Sequence, residues 1–504
     1  MTVNAADVET GSHPQTSHGS EITSEIPAQE SLQRTPEKSN IVDWDGPDDP
    51  QNPINWSSVR RWMTITIVSV VTFLNAFGST VFAPSVPEVM HEFNIDSGAL
   101  SSFTVSVFAI GWAVGPLVLP PLSELYGRNP LYHASNLFLT LSSMACALSS
   151  NLTMLIVFRF FMGLAGCPSL SLSGGTIADL IPLERRGVAL SVWGMGPLMG
   201  PVVGPIVGGF MTDSTGWRWV FWMMTIASGT LTIISLLLLR ETYAPVILGR
   251  KASQLRQETG NMELTTKYDK GETPGYLFKM AILRPTKLLL FSPIVFLMAL
   301  KITISYGYSY FLFTTFTFVF GNQYGFKPSS IGLVYIGIGI GYVVTQIIAA
   351  LFSDRYIARM KRANANGHPK PEWRLPPLAL GAIILPLGYL FYGWTAMYRL
   401  HWVVPIFGTA LIGAGTLCYF FSIMAYLIDT YTIYSASAIS ANIVLRSIVA
   451  ATLPLAGTRL YETLGIGWGT SLLAFIALAL APIPFFLLKY GERIRTHPRF
   501  QVKL

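Results

Sequence analysis

Twelve apolar runs alternate with short polar turns along this chain, and one polar stretch of about fifty residues interrupts them at the midpoint. The runs fall at 62–82, 99–121, 131–149, 152–175, 188–211, 219–239, 292–320, 330–352, 375–395, 402–425, 436–456 and 469–488. A helix rises about 1.5 Å per residue, so a run of roughly 20 residues matches the hydrocarbon core of a bilayer. The pattern predicts an all-α membrane protein, with twelve transmembrane helices in two six-helix bundles around a midplane cavity. The expected parts are a disordered tail (1–55), a first bundle (56–240), a central loop (241–291), a second bundle (292–490) and a C-terminal tail (491–504).

Composition agrees: 51% of the 504 residues are hydrophobic and only 12% are charged, about half the charge of an ordinary soluble protein. With the N-terminus inside, the inner segments from Arg60 onward hold 25 Lys and Arg. The outer loops hold four, Arg218, Lys327, Arg399 and Arg459. The positive-inside rule then places both termini in the cytoplasm. The net charge of +7 reads as a membrane protein's inner face and gives no sign of nucleic-acid binding. Cys146, Cys167 and Cys418 all lie within predicted spans and read as small apolar residues, with no disulfide framework. Residues 1–40 are polar, which predicts a disordered tail and no cleavable signal peptide. Trp44, Trp56 and Trp62, with Arg60 and Arg61, suit a headgroup-level anchor. Residues 244–259 read either as a basic amphipathic helix on the membrane surface or as a charged solvated linker.

The two halves share a weak correspondence. Pro121-Leu122-Ser123-Glu124-Leu125-Tyr126-Gly127-Arg128 follows span 2, and Leu351-Phe352-Ser353-Asp354-Arg355-Tyr356 follows span 8. Each puts an acid just beyond a span and a base soon after, as a duplicated transporter would. Span 4 holds Arg159-Phe160-Phe161-Met162-Gly163, and span 5 carries a glycine–proline repeat from Gly196 to Gly209. These stretches resemble the signatures of the major facilitator superfamily, with Glu124 where Asp is usual and Pro121 where Gly is common. The segments 49–56 and Arg240-Glu241-Thr242-Tyr243-Ala244-Pro245 are similar to its fungal twelve-span drug:proton antiporters. The resemblance covers roughly residues 45–495.

Each motif also has a physical reading. Gly196, Gly200, Gly204 and Gly208 recur every four residues and line one helix face, beside Gly209. A face without side chains lets a neighbouring helix approach closely. Pro197, Pro201 and Pro205 remove backbone donors and bend the helix. The expectation is a kinked helix that seals one half against the other, or else an ordinary packing seam. Glu124, Arg128 and Asp179, with Gly127 at the turn and Asp354 and Arg355 in the second half, are expected to form an inner gate; the bland alternative is a set of solvated loop charges.

Within the bilayer the charge is lopsided. Arg159, Lys301 and Arg446 lie in spans 4, 7 and 11, and no Asp or Glu lies in the core of any span. Intramembrane charges are costly and tend to face polar cavities. Together with Tyr306, Tyr310, Asn75 and Asn136 they are the candidate substrate and proton pathway. One reading is a positive cavity with an aromatic wall, suited to amphipathic or anionic organic molecules; the other pairs each base with backbone carbonyls or lets it snorkel outward. The missing carboxylate leaves proton coupling implied by the resemblance alone.

The expected function is proton-driven export of small hydrophobic or amphipathic compounds by a monomer in the plasma membrane, with the vacuolar membrane second. The alternative is a facilitator or proton symporter taking up a nutrient or organic anion. Neither enzyme activity nor any cofactor or metal is expected; partners are a small-molecule substrate, protons and membrane lipids. The sequon at Asn151 sits in a loop of a few residues and is expected to stay unmodified.

Overall fold

The computed structural model describes residues 40–182, 186–268, 273–363, 370–431 and 435–497. The expected disordered tail, 1–55, lies outside these residues as far as 39; its last part is described, with a strand at Ile41–Val42 and a 3-10 turn at Pro53–Asn55. The backbone at Asp354 and Arg355 is helical, but their side chains lie outside the description too.

Among the described residues, twelve helical spans form the protein. The first six are Ser58–Thr80, Gly98–Tyr126, Arg128–Ala147, Leu152–Leu180, Arg186–Thr215 and Trp217–Leu238. Span 7 is Pro293–Tyr324, and span 8 is Pro328–Val334 continued by Ile336–Ala363. Spans 9 and 10 are Pro376–Met397 and Val403–Tyr431. Spans 11 and 12 occupy 435–464 and 466–496. Ten helical stretches are long and apolar enough to cross a membrane. The last of these holds two spans, and span 3 is the shorter and more polar exception, with Asn136, Ser142 and Ser143 buried along it.

Side-chain caps fix several starts: Asn151 Oδ1 accepts from the Met154 N–H at 2.8 Å, and Ser57, Ser97 and Ser292 cap spans 1, 2 and 7. The sequon asparagine is therefore a helix cap. The turns between spans 5 and 6 and between spans 11 and 12 have the same backbone: Gly216 at φ +86° and ψ 164°, Gly465 at φ +76° and ψ 165°. Side chains other than glycine's rarely tolerate that conformation. The match repeats one connection at the same place in each half. Span 11 runs past its expected end at 456, because a tight turn at Leu453–Ala456 tolerates Pro454 and the helix resumes at Gly457.

Twelve spans put the chain's lead-in, the central connection and the C-terminus on one face of the bundle, termed here the terminal face; the opposite one is the far face. Large apolar side chains such as Leu237 (77% exposed), Ile226 (62%) and Phe210 (52%) point outward from the spans. A surface this apolar belongs in lipid. Trp56 departs from the anchor reading. It is buried beside Ile177 and Leu180 of span 4, with the Arg60 guanidinium 4.2 Å above its ring.

The central connection is mostly helical. Ala244–Thr259 forms one helix, stopped by Gly260 in the left-handed region, and Pro274–Phe291 forms another. Residues 41–42 pair in parallel with 265–266, and Lys251 on the first helix reaches Asp45 at 2.5 Å. Lys267 pairs with Asp43 at 2.7 Å. The hydrogen bond from Lys267 and another from the Trp44 N–H hold the Asp43 carboxyl below its usual range. A depressed carboxyl pKa stabilises the folded form at neutral pH and loses that effect as acid protonates it. The staple between lead-in and connection therefore weakens as acid protonates Asp43.

Candidate functional site

Arg159 has no exposed surface, and each of its three nitrogens donates to backbone. Nε reaches the Thr104 carbonyl at 3.0 Å, Nη1 reaches Gly78 at 3.1 Å, and Nη2 reaches Ser79 at 3.1 Å and Val105 at 3.3 Å. Span 4 thereby grips spans 1 and 2 with one guanidinium, whose charge is cushioned by the rings of Phe82 (5.2 Å) and Phe108 (5.4 Å). This is the backbone-carbonyl arrangement, one of the two alternatives the sequence leaves open.

The neighbours of Arg159 lead into the second half. Tyr310 lies within its electrostatic reach, and the Tyr310 ring is 5.4 Å from that of Tyr306. The Arg446 guanidinium sits 4.5 Å over the Tyr306 ring, with Phe420 at 5.9 Å. Arg446 in turn lies within electrostatic reach of Cys167 on span 4, one residue from Gly166. Gly166 leaves room for the Oδ1 of Asn75, which a Cβ there would meet at 2.7 Å. Arg159, Tyr310, Tyr306 and Arg446 thus form a chain across the junction of the halves, with Asn75 close by. Lys301 stands apart within the second half, bonded to the Tyr419 hydroxyl at 2.9 Å and the Leu480 carbonyl at 3.3 Å. Asn136 is buried on span 3, whose neighbours are spans 4 and 6.

On the terminal face, Arg128 Nε meets Asp179 at 2.6 Å, and its guanidinium lies 4.9 Å from the Tyr243 ring. Gly175 makes space for this, since any Cβ would meet the guanidinium at 2.6 Å. The carboxylate of Glu241 accepts from the N–H groups of Arg128 (3.1 Å) and Asn129 (3.2 Å), the start of span 3. It also accepts from Thr242 and Tyr243. Gly127 is held at φ +97°, and an added Cβ would run into the Glu241 carboxylate. Glu124 is exposed, with Tyr243 in its electrostatic reach. In the second half, Arg374 pairs with Asp429 at 3.0 Å. That joins the start of span 9 to the end of span 10, as Arg128–Asp179 joins spans 3 and 4.

Glu241 and Arg374 are members that the sequence reading did not single out. Glu241 sits in the Arg-Glu-Thr-Tyr-Ala-Pro run, where its signal was an acid directly after a span. Glu241→Ala is expected to leave two orphan N–H groups at the span 3 start and cost about 1 kcal/mol. A thermal-shift measurement on purified protein checks this, with Glu241→Gln expected to fall between the two.

The glycine face of span 5 lies on span 1 of its own half. A Cβ at Gly196 would meet the Phe73 N at 3.1 Å, one at Gly200 the Phe77 N at 2.6 Å and one at Gly204 the Phe77 O at 2.8 Å. Gly208 presses on the Val81 carbonyl. It is Gly209 that meets the other half, against the Pro328 carbonyl, while Gly332 of span 8 lies against that of Pro205. The Ser329 N–H adds a bond to Asp213 at 3.0 Å, and Ser106 Oγ reaches the Ala451 carbonyl at 2.9 Å. These contacts join the halves toward the far face, through spans 5 and 8 and spans 2 and 11.

The sequence profile of the Major Facilitator Superfamily matches residues 68–454. The chain belongs to this superfamily. An efflux pump, radE, of Floropilus chiversii is 46% identical over 92% of this chain and 86% of its own length. An MFS-type transporter, penM, of Penicillium rubens is 49% identical over 92% and 91%. Among solved structures, the xylose transporter XylE of E. coli, in a partially occluded inward-open conformation, matches with a TM-score of 0.62 at 16% identity, covering 86% of this chain and 98% of its own. A bacterial homologue of the human lysosomal transporter Spinster, inward-facing and unoccupied, matches at 0.60 and 15%, covering 88% and 100%. Such distant likeness speaks for the fold alone. Membership makes this a multi-pass membrane transporter of the superfamily, with its buried cationic chain at the junction of the two halves.

Proposed function

We propose that this protein is a proton-coupled efflux transporter that exports small hydrophobic or amphipathic organic compounds by alternating access. The observation that carries the reading is the Arg159–Tyr310–Tyr306–Arg446 chain, which brings aromatic rings and charge together from both halves. The relatedness to an efflux pump over nine-tenths of the chain supports it. The terminal face is the cytoplasmic one in this proposal, following the excess of basic residues there. The ion pairs Arg128–Asp179 and Arg374–Asp429 then brace the inner ends of the two halves, while Gly209 and Gly332 close the outer side. The monomer is the working unit, in the plasma membrane.

The test is accumulation of a fluorescent hydrophobic cation, rhodamine 6G, and a fluorescent acid, pyrenebutyrate, in proteoliposomes under an imposed pH gradient. Uphill movement that a protonophore abolishes supports antiport. Equilibration indifferent to the gradient supports a facilitator instead. That second reading has its own observation: no Asp or Glu lies in the core of any span as read from the sequence, and antiport needs a group that binds and releases a proton.

Alternating access makes a separate prediction. In a background lacking Cys146, Cys167 and Cys418, the pair Asp213→Cys and Ser329→Cys is expected to cross-link, because the Asp213 carboxylate accepts from the Ser329 N–H at 3.0 Å. Oxidation should arrest transport and reduction restore it. Transport that continues in the oxidised protein would mean that this contact does not open during the cycle.

A further inference from the structure

Among the described residues three cations are buried in the spans, and their partners differ. The Arg159 guanidinium is bonded at every nitrogen, and the Lys301 ammonium has a hydroxyl and a carbonyl. Arg446 is 95% buried, since 5% of its surface is exposed, yet neither its Nε nor its Nη1 has a hydrogen-bond partner among the described residues. No carboxylate pairs with it there either. A guanidinium presents its N–H donors in one plane and accepts no hydrogen bond. Its faces are engaged, by Tyr306 and Phe420. What remains unsatisfied is therefore in the plane of the guanidinium, where its N–H donors point. Planar oxyanions are the ligands that such donors fit best.

We propose that Arg446 is the substrate's anion-binding group, and that the preferred cargo is an aromatic or otherwise apolar body bearing an ionised acid. The carboxylate, or an equally acidic enolate or phenolate, bonds to the free N–H groups, and the apolar body lies among Tyr306, Phe420 and Tyr310. A further pair of unspent polar atoms stands across the junction on the first half: Asn75 Oδ1 and the Trp112 indole N–H, both beside Gly166. They offer an acceptor and a donor to a hydroxyl or carbonyl elsewhere on the same molecule. With no opposing carboxylate, the low-dielectric interior favours an anion over a cation of equal size. The inference rests on the transporter reading for the word cargo, and on Arg446 alone for the charge.

Binding separates the two. Protein in nanodiscs is titrated with pyrenebutyrate and with its methyl ester, which keeps the ring and removes the charge; empty nanodiscs supply the lipid background. The acid is expected to bind at least tenfold more tightly than the ester. Arg446→Gln should erase that difference, and Arg446→Lys should keep part of it. Because the glutamine variant removes an unpaired buried charge, its melting temperature without ligand should not fall below that of the parent, which separates lost recognition from lost folding. Equal binding of acid and ester, binding of neither, or an acid preference that survives in Arg446→Gln would overturn the proposal. Rhodamine 6G pumped while pyrenebutyrate fails to bind would overturn it too and leave the export reading standing. Pyrenebutyrate bound through Arg446 but never moved uphill would do the reverse.

Discussion

Arg159→Ala is expected to abolish transport by loosening the first half, before any question of substrate arises. The guanidinium satisfies four carbonyls on two spans from a position with no exposed surface. A buried carbonyl left bare costs about 1–3 kcal/mol, and four would lose their donor at once. The melting temperature of purified Arg159→Ala should fall sharply, with poor recovery from the membrane. Arg159→Lys should rescue little, because an ammonium has three donors at one point and lacks the planar reach of the guanidinium. A variant that melts like the parent yet does not transport would return Arg159 to a direct role in the cycle.

Gly208→Leu should be as damaging for a different reason. Even a Cβ at this position would sit inside contact distance of the Val81 carbonyl oxygen, and that atom belongs to backbone that cannot swing aside. Spans 1 and 5 would have to separate along the face where Gly196, Gly200 and Gly204 also lie, losing dispersion contacts that hold helices together in lipid. A loss of about 3 kcal/mol or more is expected, at or above the upper end of what overpacking a close-packed core usually costs. Gly194, on the same span, has nothing within 4 Å of where its Cβ would be, so Gly194→Ala serves as the neutral control. Size-exclusion profiles and thermal melts of the two variants should diverge completely. A monodisperse, stable Gly208→Leu would show that the close approach is not required for folding.

How much of this was visible in the sequence varies with the kind of interaction. The spans were legible because lipid imposes length and apolarity on each one, and only their ends moved. Span 11 shows the limit: Pro454 suggests a stop, yet the helix resumes at Gly457 and runs to 464. The four-residue glycine period showed that a close partner exists, but period alone does not name it, and the partner proved to be span 1. Arg128 and Asp179 could be paired from their shared face of the membrane. Glu241 escaped, since its role depends on backbone N–H groups more than a hundred residues away. For Arg159, which lies in a family-like motif, and Arg446, which does not, the residues alone left the same two readings open. Only geometry separates them: one is bonded to backbone at every nitrogen, and the other is stacked but unbonded at Nε and Nη1.

The staple between residues 41–42 and 265–266 bears on how the chain is made. Every residue it needs, from Asp43 to Lys267, belongs to the lead-in, the first six spans or the beginning of the central connection. All of them have left the ribosome once residue 267 has cleared the exit tunnel, while span 7 starts only at Pro293. The first half can thus be tied off, start to finish, while the second is still being translated, and a newborn chain meets its partner half as a ring already closed.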